Sequence, residues 1–140
     1  MGSRAEFVCD TVGCFMTVRI RGEIDHHTAV SVRNGIDAAI FDKRPRRLIM
    51  DMSGVTFMDS SGLGLIMGRY TVMKELGGDV VVYNPGREIQ SILNLAGLER
   101  VVRIEYASDG DTTVKSPAAR RKSTRTRRAG VRSRSRVAES

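Results

Sequence analysis

Apolar and polar positions along the chain fall into short runs of two different periods. Cys14, Met16, Val18 and Ile20 alternate with Phe15, Thr17, Arg19 and Arg21. A period of two predicts a strand with one buried face and one wet face. Ala5 to Cys9 reads as an earlier strand, joined to it across a hairpin-like turn at Asp10-Thr11-Val12-Gly13. Gly22 to His27 reads as the turn into a first helix. After Thr28 the residues Ala29, Val30, Val32, Ile36, Ala39 and Ile40 recur at helical spacing. Asp42-Lys43-Arg44-Pro45 ends that helix, since proline disfavours its continuation.

Arg47 to Met52 alternates large apolar side chains with others and predicts a buried strand. Ser53-Gly54 breaks the run, and Val55 to Met58 forms a second short apolar piece. An apolar-periodic segment then runs from Leu63 to Leu76, stopped by Gly77-Gly78. Asp79 to Tyr83 is a valine-rich strand, and Asn84-Pro85-Gly86 is a turn. Arg87 to Ala96 carries Ile89, Ile92, Leu93 and Ala96, a short amphipathic helix closed by Gly97. Val101 to Tyr106 reads as a last strand. The order β-β-α-β-α-β-α-β implies parallel pairing through right-handed crossovers, with an antiparallel hairpin at the start. The expected fold is α/β, a small mixed β-sheet with helices packed on it.

The stretch Phe57-Met58-Asp59-Ser60-Ser61-Gly62-Leu63-Gly64 holds the strongest candidate chemistry. A short polar side chain before an apolar-periodic segment signals an N-cap, and Ser60 is the better candidate. A helix start has unpaired N–H groups and partial positive charge, so a phosphate on Ser60 would be well tolerated there. Gly62 puts no side chain in the way of an approaching partner. Gly64 and Gly68 lie four apart on one helical face, and each costs roughly 1 kcal/mol against alanine. Close approach by another surface is one way to offset that cost. The plainer alternative is a capped helix whose glycines pack against a neighbouring strand.

Composition changes this picture only at the C-terminus. The chain has 140 residues and a net charge of +7. Residues 115–140 hold Lys115, Lys122 and eight arginines against Glu139, a net +9, which leaves −2 on residues 1–114. The basic pI therefore describes the tail. Its low-complexity, Ser/Arg-rich make-up predicts disorder from residue 107 onward. Ten cations allow contact with a polyanion, and the lack of interleaved aromatics disfavours base stacking. No apolar run approaches a membrane span and no signal peptide opens the chain, so a cytoplasmic protein with no membrane contact is expected. Cys9 and Cys14 show no metal-ligand pattern and read as free thiols. His26 and His27 are sequence neighbours, poor geometry for a shared metal, so none is expected. There is no P-loop, no dinucleotide motif and no catalytic set, which argues against an enzyme and against a cofactor. A nucleotide hydrolase would need a base and a phosphate cradle together, and nothing in the sequence supplies the two together.

Met58-Asp59-Ser60-Ser61-Gly62-Leu63-Gly64, followed by Gly68-Arg69-Tyr70, closely resembles the phosphorylation segment of anti-sigma factor antagonists in the STAS domain family. Gly22-Glu23-Ile24-Asp25-His26-His27-Thr28-Ala29 resembles that family's strand-to-helix turn. Leu95-Ala96-Gly97-Leu98 resembles the end of its third helix. The likeness spans roughly residues 5–106. It implies a phospho-acceptor at Ser60, with Ser61 as second choice. It implies partner contacts at Glu23, Asp25, His26, Asp59, Ser61, Gly62, Leu63 and Gly64. It further implies a partner-switching cycle. The unphosphorylated protein binds an anti-sigma factor that is also a serine kinase, and the kinase brings the ATP or ADP. The sigma factor is thereby released, and a PP2C-type serine phosphatase resets the system. His26-His27 and Gly68-Arg69-Tyr70 favour the sporulation branch over STAS scaffolds in other stress or signalling complexes. One departure is expected: relatives close with a further helix, for which Ala107 to Thr113 is a poor sequence.

Overall fold

A computed structural model describes residues 4–107. The readings for the C-terminal tail and for a closing helix lie outside the described residues. The elements are β1 (Ala5–Val12), β2 (Phe15–Ile24), α1 (His26–Lys43), β3 (Arg47–Met58), α2 (Ser60–Glu75), β4 (Asp79–Tyr83), α3 (Arg87–Leu95), a 3-10 turn (Leu98–Arg100) and β5 (Arg103–Glu105). The strands form one sheet in the order β1-β2-β3-β4-β5. β1 pairs antiparallel with β2, and all other pairs are parallel. The mixed sheet expected from the element order is therefore present.

The period of two is realised from Phe15 onward, whereas Cys14 falls in the turn and is exposed. Met16, Val18 and Ile20 are completely buried, whereas Phe15, Arg19 and Arg21 are exposed. The buried face continues through Leu48, Met50 and Met52 of β3 and Val80 and Val82 of β4. Because the strand order is sequential, right-handed crossovers carry all three helices to one face. Val32, Ile36 and Ile40 of α1, Leu65, Ile66 and Met73 of α2, and Ile89 and Leu93 of α3 complete the core. On the other face Arg19 lies between Asp10 at 3.6 Å and Asp51 at 4.0 Å. Arg47 makes two hydrogen bonds to Asp79, at 3.0 and 3.2 Å, and covers the Phe15 ring.

Four boundaries differ from the sequence reading. The first hairpin closes over Gly13-Cys14 alone, with Val12 opposite Phe15. Gly13 has φ +61°, the left-handed conformation that glycine supplies to such tight loops. β2 runs on through Gly22-Glu23-Ile24, so only Asp25 separates it from α1. Ser53-Gly54 does not end β3. The pairing with β2 shifts between Arg19 and Arg21 and again after Gly22, so two irregularities absorb the extra residues and the strand stays continuous. Val101 leads out of the 3-10 turn, and the last strand is only Arg103–Glu105.

A candidate partner-docking site at two helix starts

β2 and β3 are parallel neighbours, so their carboxyl ends lie together, and each feeds a helix there. Glu23 is level with Phe57 and Ile24 with Met58. The Asp59 N–H donates to the Ile24 carbonyl at 3.2 Å and so ties the second helix entry to the first. The carboxyl ends of parallel strands are where α/β folds place their functional loops.

The entry to α1 is closed by a reciprocal cap. Asp25 Oδ1 accepts from the backbone N–H of His27 at 3.0 Å and of Thr28 at 2.9 Å. Thr28 Oγ1 accepts from the Asp25 N–H at 2.9 Å and donates to the Glu23 carbonyl at 2.9 Å. This is a capping box, and it commits the Asp25 carboxylate to the fold. Glu23, His26 and His27 stand exposed around it.

At the entry to α2 the N-cap is Asp59, which corrects the assignment to Ser60. Asp59 Oδ1 accepts from the Ser61 N–H at 2.8 Å. Ser60 is the first helical residue and is exposed. Among the described residues its hydroxyl makes no hydrogen bond. Asp59 and Ser60 are both good caps by residue type. The choice falls on Asp59 because its backbone is held by β2, which fixes where the strand lets go. Ser61 is half-buried and Leu63 lies partly buried against the core.

The glycines of α2 divide. Gly62 is buried, and a Cβ there would collide with the Met58 side chain. Its role is close packing under the helix start, which corrects the expectation of an open surface. At Gly64 and Gly68 an added Cβ would meet nothing within 4 Å. Packing within the domain does not explain these two.

Two features escaped the sequence reading. Phe57 is 48% exposed, immediately before the site. Its signal is a large apolar residue at the end of a strand whose preceding irregularity turns it outward. Arg69 is 5% exposed and sits 2.8 Å from Asp37 of α1. Burial pushes the guanidinium pKa down, opposed by Asp37, with Arg33 adding a smaller lowering. The Nε–Oδ1 approach is a charge contact in which neither atom gains a well-aligned hydrogen bond. The pair clamps α2 to α1 about three turns in from the two helix starts. An arginine in an otherwise apolar helical run was the available hint.

The chain matches the STAS domain family over residues 7–110. It belongs to that family. An anti-sigma F factor antagonist of Paenibacillus polymyxa is 36% identical over 89 residues, covering 64% of this chain and 76% of the relative. The anti-sigma factor antagonist SpoIIAA in its unphosphorylated form superposes with a TM-score of 0.66 at 28% identity, covering 75% of this chain and 90% of that one. The Bacillus cell fate determinant SpoIIAA in its phosphorylated form gives 0.60 at 28% identity, over 75% and 94%. The STAS fold implied by the three sequence blocks is thus the fold observed. Among the described residues no helix is long and apolar enough to cross a membrane.

Proposed function

We propose that this STAS protein is an anti-sigma factor antagonist switched off by phosphorylation at Ser60. The observation that carries the reading is the exposed Ser60 hydroxyl at the first position of α2, beside a cap made by its neighbour. Because Asp59 does the capping, esterifying Ser60 leaves the helix start intact. A phosphate there adds about −1.5 to −2 charges and three acceptor oxygens at the positive end of the helix dipole. The fold need not change, and the docking surface does.

Unmodified, Ser60, Gly64, Gly68 and Phe57 offer a low, nearly neutral surface to an anti-sigma factor. Glu23 and His26 border it from the first helix start, and Leu63 underlies it. By the family resemblance the partner is also the serine kinase and carries the nucleotide; the sequence of this chain holds no P-loop. Binding releases the sigma factor, phosphorylation ends the binding, and a PP2C-type serine phosphatase restores it. The protein itself performs no catalysis and works in the cytoplasm. Residues 5–106 form the switch domain and residues 107–140 a separate basic extension.

The test is affinity for an anti-sigma factor in the presence of ADP. Wild type and Ser60→Ala should bind alike, and Ser60→Asp about tenfold or more weaker through like-charge repulsion. Equal binding by all three would contradict the reading.

A further inference from the structure

Two imidazoles stand at the start of α1, and the fold makes no use of their ring nitrogens. His26 and His27 are exposed, and their rings meet edge to face at 5.5 Å. Among the described residues neither ring makes a hydrogen bond. The Asp25 carboxylate beside them is turned to the backbone N–H groups of its own cap.

Strand register places His26 against Ser60. Ile24 is level with Met58, and the Asp59 N–H donates to the Ile24 carbonyl at 3.2 Å. Two residues beyond Ile24 and Met58, His26 opens α1 and Ser60 opens α2. Adjacent strands lie about 4.8 Å apart and packed helices about 8–10 Å, so the two Cα atoms are separated by about 5–10 Å. A histidine and a phosphoserine side chain each extend about 4–5 Å from Cα, enough to meet across that interval. Helical period then selects between the two histidines. Asp37 faces α2, because it approaches Arg69 at 2.8 Å. His26 lies about three turns before Asp37 and shares that flank of α1. His27 is about 100° further round the helix.

The charged groups around His26 are Arg21, Glu23 and Asp25 on β2 and its turn, and Asp59 at the entry to α2. On the β1 side is Arg4, whose carbonyl accepts from the Glu23 N–H at 3.0 Å. On the α3 side is Arg87, exposed at the first position of its helix. Glu23, Asp25 and Asp59 repel a phosphate, whereas an imidazole donates to it from a ring N–H and, once protonated, adds a positive charge.

We infer that His26 is the partner of the Ser60 phosphate within the domain. Its ring N–H donates to a phosphate oxygen, so the phosphate bridges the two helix starts and covers the ground between them. The pairing rests on the reading of Ser60 as the phospho-acceptor, and it says where the added charge is held. A cation in contact favours the doubly ionised phosphate. The phosphate should therefore take up its second proton at a lower pH when His26 is present.

The experiment uses the full chain with phosphoserine inserted at position 60 during translation, so it needs no kinase. The phosphorus NMR resonance is followed over about pH 4–9, around the second phosphate pKa of about 6. The wild-type midpoint should lie about half a pH unit or more below that of His26→Ala. His26→Arg should keep the low midpoint through its permanent charge. His27→Ala and Arg87→Gln should match wild type. Coincident midpoints for wild type and His26→Ala overturn the proposal, as does a high midpoint in His26→Arg. A midpoint moved as far by His27→Ala or by Arg87→Gln overturns it as well. Failure of a partner kinase to modify Ser60 is a separate result, which refutes the switch itself and leaves this titration as it stands.

Discussion

The two helix starts at the carboxyl ends of β2 and β3 are built from the same residue type and finished differently. Both are capped by an aspartate. At α1 the cap is reciprocal, with Thr28 answering Asp25 and reaching back to Glu23. At α2 the cap is a single bond from Asp59, and the next residue offers a serine hydroxyl without a partner among the described residues. One start is closed upon itself and the other is left open. The difference shows how a fold can present a modifiable group at a helix terminus: stability is delegated to the preceding residue, and the hydroxyl is spared.

The largest effect comes from unclamping the two helices that follow these starts. Arg69→Ala removes the buried guanidinium that faces Asp37 and leaves that carboxylate uncompensated. The cost should be about 3 kcal/mol in a denaturant titration, with both helix entries losing amide protection together. An unfolding midpoint unchanged from wild type would show that the clamp is idle.

A smaller effect sharpens the contrast between the caps. Asp25→Ala should cost about 1.5–2 kcal/mol, because it loses two backbone hydrogen bonds and the capping box. Asp59→Ala should cost about 1 kcal/mol, since one bond is lost. Equal losses in thermal unfolding would mean that the starts are not differently built.

The smallest effect has the opposite sign. Gly64→Ala and Gly68→Ala should each stabilise the isolated protein by about 0.5–1 kcal/mol, because helix propensity improves and the new methyl meets open space. If these glycines are kept for a partner, the same variants should bind an anti-sigma factor more weakly. Stabilisation with unaltered binding would remove them from the docking surface.

Much of this architecture was readable from local pattern. The alternation around Met16, Val18 and Ile20, the helix ended by Arg44-Pro45 and the glycine closures at Gly77 and Gly97 depend on near neighbours and came through. The misreadings share a cause in pairing that sequence does not display. Ser53-Gly54 looks like a break, and β2 absorbs it through shifts in register. Ser60 looks like a cap until the bond from Asp59 to Ile24 fixes the strand end one residue earlier. Gly62 looks open until Met58 is seen beneath it. The site itself was legible as a motif at Asp59-Ser60-Ser61-Gly62. The clamp further along the helices was not, because Arg69 and Asp37 are joined only by the packing of α2 on α1.

The most direct measurement is peptide-resolved mass spectrometry after incubation with an anti-sigma factor kinase and ATP. The account predicts one phosphate, on Ser60, and none in the Ser60→Ala chain. Phosphate confined to Ser61, or no phosphate on the peptide that holds both serines, would contradict it.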